Sequence, residues 1–82
     1  MSYIVYVLYS PKHDKIYIGQ TSNFDKRLKD HRKGYSKATS FTHDWELVYS
    51  EEYSSKSEAF KRERQLKTAK GRSFIWEIIK NK

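Results

Sequence analysis

A chain of 82 residues without cysteine suffices for one small domain and excludes a disulfide framework or a thiolate metal site. The formal net charge is +7, and residues 26–37 and residues 56–72 each carry a net +5 while the rest carries −3. This uneven distribution favours a polyanion such as nucleic acid as partner, although two solvated helix faces would explain it equally well.

No apolar run approaches the roughly 18 residues that a membrane-spanning helix needs. The first residues also lack a basic stretch followed by an apolar one, which a secretion signal would require. We therefore expect a cytoplasmic protein without a membrane partner, folded as one domain over residues 1–82 with its core at about residues 3–79.

The first quarter of the chain predicts a β-hairpin. Residues 3–10 are rich in Tyr, Val and Ile and end before Pro11, and residues 15–19 form a second short strand after a turn. Apolar side chains occur on both faces of the first strand. We therefore expect this strand to be central in its sheet and covered on both sides.

The next segment predicts a helix from Asn23 to about Lys33. Ser22 is the predicted N-cap, with Asp25 three residues later as its capping-box partner. Gly34 is expected to end the helix, because glycine adopts the left-handed conformation that follows many helices. A polar loop follows.

The second half of the chain predicts one strand and two helices. Residues 45–53 predict a third strand, and a capping box at residues 55–58 opens a helix that runs to about residue 69. Gly71 is expected to interrupt it, and residues 72–80 form a last short helix. The predicted order of elements is β-β-α-β-α-α. This order indicates a fold of mixed α and β structure (α/β in the broad sense) and, within it, of the α+β class. The residues that the last helix is expected to turn toward the core are Phe74, Ile75 and Ile78.

Two charged side chains share the apolar stripe of the first helix. At ~100° per residue, Arg27 and His31 fall within about 100° of Phe24 and Leu28, which must face the core. The pair either forms part of an inward-facing polar site or flanks the stripe and extends to solvent. The sequence alone leaves both interpretations open.

A carboxylate stands in the apolar row of the second long helix. Ala59, Glu63 and Leu66 have the spacing of one helix face, and a buried carboxylate is costly unless a cation or a donor compensates it. Lys67 lies four residues after Glu63, so an ordinary helical ion pair would also explain the pattern.

Two tyrosines in the hairpin complete a set of polar candidates. Tyr6 and Tyr17 can lie close together if the strand register puts both on one face, although such pairs are more often packing. Phosphodiester hydrolysis needs an activated water, a cation near the developing charge, and help for the leaving oxygen. Tyr, Arg, His and one carboxylate can meet these needs, and a single carboxylate suits Mg²⁺.

These residues resemble a known family. Residues 4–6 and, ten residues later, residues 17–19 resemble the paired motif of the GIY-YIG endonucleases. Residues 21–31 resemble the family's Asn-x-x-x-Arg-x-x-x-His helix, and residues 57–67 resemble its glutamate helix. The first motif has Ile4 in place of the name-giving glycine, which is backbone-permissive rather than reactive. The closest resemblance is to the small bacterial single-domain branch.

The resemblance implies a three-stranded mixed sheet flanked by helices and a divalent-metal-dependent endonuclease. We expect the enzyme to act on DNA and to recognise structure or single-strand character more than sequence. It implies that Tyr17 activates the attacking water and that Tyr6 positions the water or the phosphate. Arg27 would neutralise the phosphate, His31 would assist proton transfer, and Glu63 would bind Mg²⁺ or Mn²⁺.

Further residues are candidates for substrate binding, and other functions stay open. Asn23 matches a family position near the site, where it would order the helix start or the substrate. A non-catalytic DNA- or RNA-binding module and a protein-interaction domain are the competing interpretations. RNA as substrate and a homodimer stay open, and no small-molecule cofactor is expected. The candidate phosphate contacts are Lys37, Lys56, Lys61, Arg64, Lys70 and Arg72.

Overall fold

The computed structural model describes residues 2–34 and 39–81. Three strands and three helices follow one another in the predicted order, so the α+β architecture is confirmed. No helix among the described residues is long and apolar enough to cross a bilayer. The bounds of the elements are β1 Tyr3–Ser10, β2 Lys15–Thr21, α1 Phe24–Lys33, β3 Glu46–Tyr53, α2 Lys56–Leu66 and α3 Ala69–Lys80.

The three strands form one sheet in the order β2-β1-β3. Both pairings of β1 are antiparallel, so the expectation of a mixed sheet is wrong. β2 and β3 do run in the same direction, but β1 lies between them. The crossover connection through α1 carries the chain past β1 to the far edge, and no parallel pair forms.

The central strand β1 is covered on both faces, as its apolar pattern predicted. Val5 and Val7 pack against α2 and α3 on one face. Tyr6 and Leu8 pack on the other face against α1 and against Trp45, which precedes β3. Each of these four side chains is no more than 1% exposed. The protein therefore has two hydrophobic cores, one on each face of the sheet, and β1 contributes side chains to both.

The start of α1 differs from the prediction by one residue. Asn23, not Ser22, is the N-cap, and its side-chain oxygen accepts from the backbone N–H of Lys26 at 3.3 Å. The reason is that β2 continues to Thr21, whose hydroxyl oxygen accepts from the N–H of Asn23 at 3.0 Å. Gly34 ends the helix at φ 79°, as predicted, in the left-handed region that favours glycine.

The break between α2 and α3 lies earlier than predicted. α2 begins after the predicted N-cap Ser55, but Thr68 is already the N-cap of α3. Gly71 therefore lies in the first turn of α3 instead of separating the helices. A Cβ atom on Gly71 would lie 2.3 Å from the carbonyl oxygen of Gln65 and 2.5 Å from the Cα of Leu66. The glycine is needed because the start of α3 packs directly against the end of α2.

One predicted core residue of α3 lies at the surface. Ile75 is fully buried and Ile78 is half-buried, but Phe74 is 42% exposed. The ring of Phe74 packs edge-on against Tyr49 with the ring centroids 5.4 Å apart. Because α3 begins three residues earlier than expected, its contact with α2 sets which side of the helix faces the core.

A cluster on β3 fixes the rotation of α2. The carboxylate of Glu51 accepts hydrogen bonds from the hydroxyls of Tyr49 and Tyr53 and from Nε of Arg62, the last at 3.0 Å. These donors outweigh the effect of burial and lower the pKa of Glu51. Since consecutive helical residues differ by about 100°, tying Arg62 to β3 turns Glu63 toward the β2 side.

A second carboxylate holds the loop before β3 against the hairpin. Asp44 accepts from the hydroxyl of Ser10 at 2.7 Å and from the backbone N–H of Lys12 at 2.9 Å, and Thr42 also donates to it. The hydrogen bonds from Thr42 and Ser10, in that order, hold the pKa of the Asp44 carboxyl well below its usual range.

The Asp44 network predicts a pH-dependent contribution to stability. Because the folded-state pKa is depressed, the carboxylate stabilises the fold above the unfolded value of about 4 and loses this effect as the pH falls through the folded-state value. We expect Asp44→Asn to reduce the free energy of unfolding measured with urea, by more at about pH 7 than at about pH 2.5.

The matched control is Glu46→Gln, which removes an exposed carboxylate from the start of β3. It should show a much smaller difference between the two pH values. An Asp44→Asn effect of equal size at both pH values would contradict the assignment.

Candidate active site

The register of the hairpin places the two candidate tyrosines on one face of the sheet. Tyr6 lies opposite Gly19 and Leu8 lies opposite Tyr17. Tyr6 and Tyr17 are therefore diagonal neighbours, with ring centroids 6.2 Å apart. The condition that the sequence left open, that both side chains share a face, is met.

Gly19 makes room for the hydroxyl of Tyr6. A Cβ atom on Gly19 would lie 2.8 Å from the Tyr6 hydroxyl oxygen and 2.9 Å from Cε2 of Tyr17. Both distances are shorter than van der Waals contact. The Tyr6 ring can therefore extend over β2 only because position 19 has no side chain. The sequence marks Gly19 as part of a motif but does not show this role.

His31 is fully buried and both of its ring nitrogens are hydrogen-bonded to protein. Nε2 lies 2.9 Å from the hydroxyl of Tyr6, and Nδ1 lies 2.7 Å from the hydroxyl of Thr39. Thr39 is also fully buried, and its carbonyl accepts from Nε1 of Trp45 at 3.0 Å. The ring of His31 also packs against Tyr17 with the centroids 4.7 Å apart, so His31 contacts both tyrosines of the site. Sequence reasoning missed Thr39, because a threonine in a polar loop carries no signal that it will contact a helix.

The surroundings of His31 indicate its tautomer. Burial, with the nearby charge of Arg27, lowers the pKa of His31, so the ring is neutral at neutral pH. A neutral ring has one donor nitrogen and one acceptor nitrogen. The Arg27 guanidinium, which only donates, interacts with the Tyr6 oxygen. This favours donation from the Tyr6 O–H to Nε2, and from Nδ1–H to the oxygen of Thr39.

Arg27 brings a positive charge to both tyrosine hydroxyls. Burial opposes the charge on Arg27, but interactions with the hydroxyls of Tyr6 and Tyr17 outweigh it and raise the pKa of Arg27. Burial, reinforced by Tyr17, raises the pKa of Tyr6 to about 12. Tyr6 is therefore a neutral phenol near pH 7, suited to donate a hydrogen bond and unsuited to act as a base.

Glu63 approaches the same place from α2. Its side chain is 14% exposed and accepts from Nζ of Lys67 at 3.3 Å, so the predicted helical ion pair is present. The negative charge of Glu63 is also close enough to contribute to the raised pKa of Tyr6. Lys67, Tyr17 and Arg72 line a cleft of about 200 Å³ beside β2. Glu63 thus lies next to a cleft that Tyr17 borders.

The single carboxylate beside this cleft, that of Glu63, fits a magnesium-type ion. Across residues 2–34 and 39–81, no three His, Cys, Asp or Glu side chains gather closely enough to enclose a metal. Mg²⁺ does not need such a cage, because it keeps several waters and binds through one or two carboxylates and substrate phosphates. The side chain of Lys67 is 49% exposed, and its ammonium can move into solvent when another cation takes its place beside Glu63.

The predicted substrate-binding residues do not lie in one place. Asn23 is exposed, and its side chain serves as the N-cap of α1. Arg72 borders the cleft beside Tyr17, and Lys70 is exposed in the first turn of α3. Lys37 lies outside the described residues. The candidates that share one groove on the exposed side of α2 are Lys56, Lys61 and Arg64.

Comparison with known proteins identifies the family. The family model of the GIY-YIG catalytic domain matches residues 2–77. The chain belongs to the GIY-YIG family. This membership implies a nuclease-type function with a nucleic-acid substrate, and GIY-YIG nucleases generally use divalent metal ions.

Similar proteins occur in bacteria. A UPF0213 protein from Staphylococcus haemolyticus is 41% identical over 58 residues, which are 70% of this chain and 71% of that protein. A UPF0213 protein from Staphylococcus saprophyticus is 38% identical over 58 residues, with the same coverage of 70% and 71%. The solution NMR structure of a UPF0213 protein from Bacillus halodurans matches with a TM-score of 0.58 at 27% identity, over 95% of this chain and 85% of that chain. The names of these relatives specify no substrate or reaction.

The close fit at Gly19 predicts a coupled effect on stability. Gly19→Ala places a methyl group against the Tyr6 hydroxyl and should lower the free energy of unfolding by about 1–3 kcal/mol, as overpacking does. Adding Tyr6→Phe removes the nearest clashing atom. In urea denaturation, the double variant should therefore lose less stability than the two single variants together. Strict additivity would contradict the contact.

The Thr39–His31–Tyr6 chain predicts a tautomer that NMR can observe. In the wild-type protein above about pH 6.5, we expect the ¹⁵N shifts of His31 to show a protonated Nδ1 and a bare Nε2. Thr39→Val removes the acceptor for Nδ1–H and should shift His31 toward the other tautomer. Thr39→Ser keeps the hydroxyl and should retain the wild-type pattern. A wild-type protein with the proton on Nε2 would contradict the assignment.

Proposed function

We propose that this protein is a divalent-metal-dependent endonuclease that hydrolyses phosphodiester bonds in DNA, with structure rather than sequence selecting the substrate. The observation that carries the proposal is the meeting of polar groups from separate elements at the β2 edge of the sheet. The ring centroids of Tyr6 and Tyr17 lie 6.2 Å apart there, and Arg27 interacts with both hydroxyls. The charge of Glu63 on α2 contributes to the raised pKa of Tyr6. Core packing gives no reason to gather these groups, since burying polar side chains costs free energy.

Each side chain has a distinct task in this proposal. Arg27 stabilises the negative charge that grows on the phosphate oxygens, a task suited to a cation that presents several donors. Tyr17 accepts or relays the proton of the attacking water, a role that its position at the border of the open cleft supports. Tyr6 is held as a neutral phenol and positions the water or the phosphate. His31 and Thr39 orient Tyr6 from behind.

Glu63 is the proposed metal ligand. Its carboxylate is mostly buried beside the cleft, and its ion-pair partner Lys67 is free to move outward. Mg²⁺ or Mn²⁺ at this position would supply Lewis-acid stabilisation of the charge on the phosphate. The mostly buried position of Glu63 favours this role over that of a purely superficial ion pair.

The Glu63–Lys67 pair also supports one competing function. An ion pair that stayed closed would leave the basic segments to bind DNA or RNA without cleaving it. Such a module would bind with an affinity that falls steeply as salt rises, because each neutralised phosphate releases counterions. Turnover is therefore the measurement that separates the two functions.

The proposal predicts loss of cleavage when the carboxylate or the guanidinium is removed. We expect the wild-type protein to cut fluorescently labelled branched and flap DNA with Mg²⁺ or Mn²⁺ and to stop cutting in EDTA. Glu63→Gln and Arg27→Ala should each reduce the rate by about 100-fold or more, because each removes a group that acts on transition-state charge. Circular dichroism should show that both variants remain folded.

Matched variants on the same helices serve as controls. Glu58→Gln and Lys29→Ala remove exposed charges from α2 and α1 and should leave the rate within about twofold of the wild type. Wild-type cleavage by a folded Glu63→Gln protein would refute the proposal. Tight, salt-sensitive binding without any cleavage would favour the non-catalytic module.

A further inference from the structure

One exposed aromatic side chain is not explained by the packing of the protein. Phe41, Phe60 and Phe74 are 52%, 48% and 42% exposed, respectively. Phe41 packs edge-on against Trp45, and Phe74 packs edge-on against Tyr49. Within the described part of the chain, Phe60 has no such ring partner. Its ring is therefore presented to solvent without support from another ring.

The surroundings of Phe60 are positively charged. Phe60 lies in a broad groove of about 850 Å³ on the exposed side of α2, which Lys56, Lys61 and Arg64 also line. None of the groove's lining residues that the structure describes is acidic. An apolar ring in a groove lined by three cations, and by no acidic residue that the structure describes, favours an anionic partner with flat apolar groups over an acidic or neutral protein surface.

The described residues that line the groove lie on the solvent side of α2, opposite the buried face, and Phe60 lies toward its Glu63 flank. At ~100° per residue, Phe60 lies about 60° from Glu63 around the helix. Lys67 lies about 40° from Glu63 in the same direction. Ala59 and Leu66 mark the buried face, and Arg62 points the other way, toward β3. Lys67 lines the cleft that Tyr17 borders and lies about 20° from Phe60 around the helix, so Phe60 is on the flank of α2 nearer to that cleft.

We propose that this groove binds an unpaired stretch of a nucleic-acid strand, with a base stacked on Phe60 and phosphates held by Lys56, Lys61 and Arg64. Every base has a flat apolar face, so stacking on an aromatic side chain tolerates any sequence. In a duplex the base faces are covered by their neighbours, so Phe60 can engage only unpaired nucleotides. The inference rests on the proposed function in one respect, namely that the bound strand continues from the groove to the site beside Glu63.

Binding without cleavage tests this inference. The full chain is titrated in EDTA against a fluorescein-labelled single strand and against the duplex of the same sequence, and affinity is followed by fluorescence anisotropy. Phe60→Ala should weaken binding of the single strand about 10-fold and binding of the duplex less than about twofold. Phe60→Tyr keeps a stacking ring and should stay within about threefold of the wild type for both.

A direct reading of stacking uses 2-aminopurine, whose fluorescence falls when its base stacks. A single strand carrying this base should be quenched by the wild-type protein and by Phe60→Tyr, but much less by Phe60→Ala. The control is Phe74→Ala, which removes a similarly exposed ring from α3 and should leave affinity and quenching unchanged. Circular dichroism checks that each variant is folded.

Several outcomes would overturn the inference. These are unchanged affinity of Phe60→Ala for single strands, an equal loss for single strand and duplex, and absence of nucleic-acid binding at low salt. The proposed nuclease function fails by a different result, since its test is cleavage with metal. Stacking on Phe60 by a protein that never cleaves DNA would refute the nuclease and uphold the groove.

Discussion

The hydroxyl of Tyr6 lies inside the protein and must find hydrogen-bond partners there. A buried polar group without a partner costs about 1–3 kcal/mol, and a central strand offers none from its own backbone. Gly19 leaves the space for the hydroxyl, His31 approaches it from α1, and Arg27 adds a charge from the same helix. The position of α1 over the hairpin and the proposed chemistry therefore depend on the same phenol.

The opposite side of the sheet supplies the carboxylate through a second constraint. Glu51 on β3 collects hydrogen bonds from two tyrosines and from Arg62, which fixes how α2 is rotated over the sheet. The next residue along the helix, Glu63, is consequently turned toward the β2 edge. A structural ion pair at one edge thus positions a charged side chain at the other, and the proposed site lies where the two helix layers meet around β2.

The sequence predicted the helices and strands more accurately than the residues at which they begin and end. The shift of the cap from Ser22 to Asn23 follows from two further residues of strand pairing, which a local capping pattern does not contain. Gly71 was assigned as a helix breaker because glycine is a poor helix former, whereas its role is to allow one helix to start against the end of another. The exposure of Phe74 follows from the same junction.

By itself the sequence determined the order of elements, the central position of β1, the charge of the two basic segments, and the family motif that contains Tyr6, Tyr17, Arg27, His31 and Glu63. These follow from periodicity, composition and short-range spacing, which are properties of neighbouring residues. Only the tertiary structure decided that the sheet is antiparallel, that Gly19 admits the phenol, that Thr39 bonds His31, and that Phe60 stays exposed among cations. Each of these depends on segments far apart in the chain, because a strand register, a close approach or an unfilled groove arises only when distant segments meet.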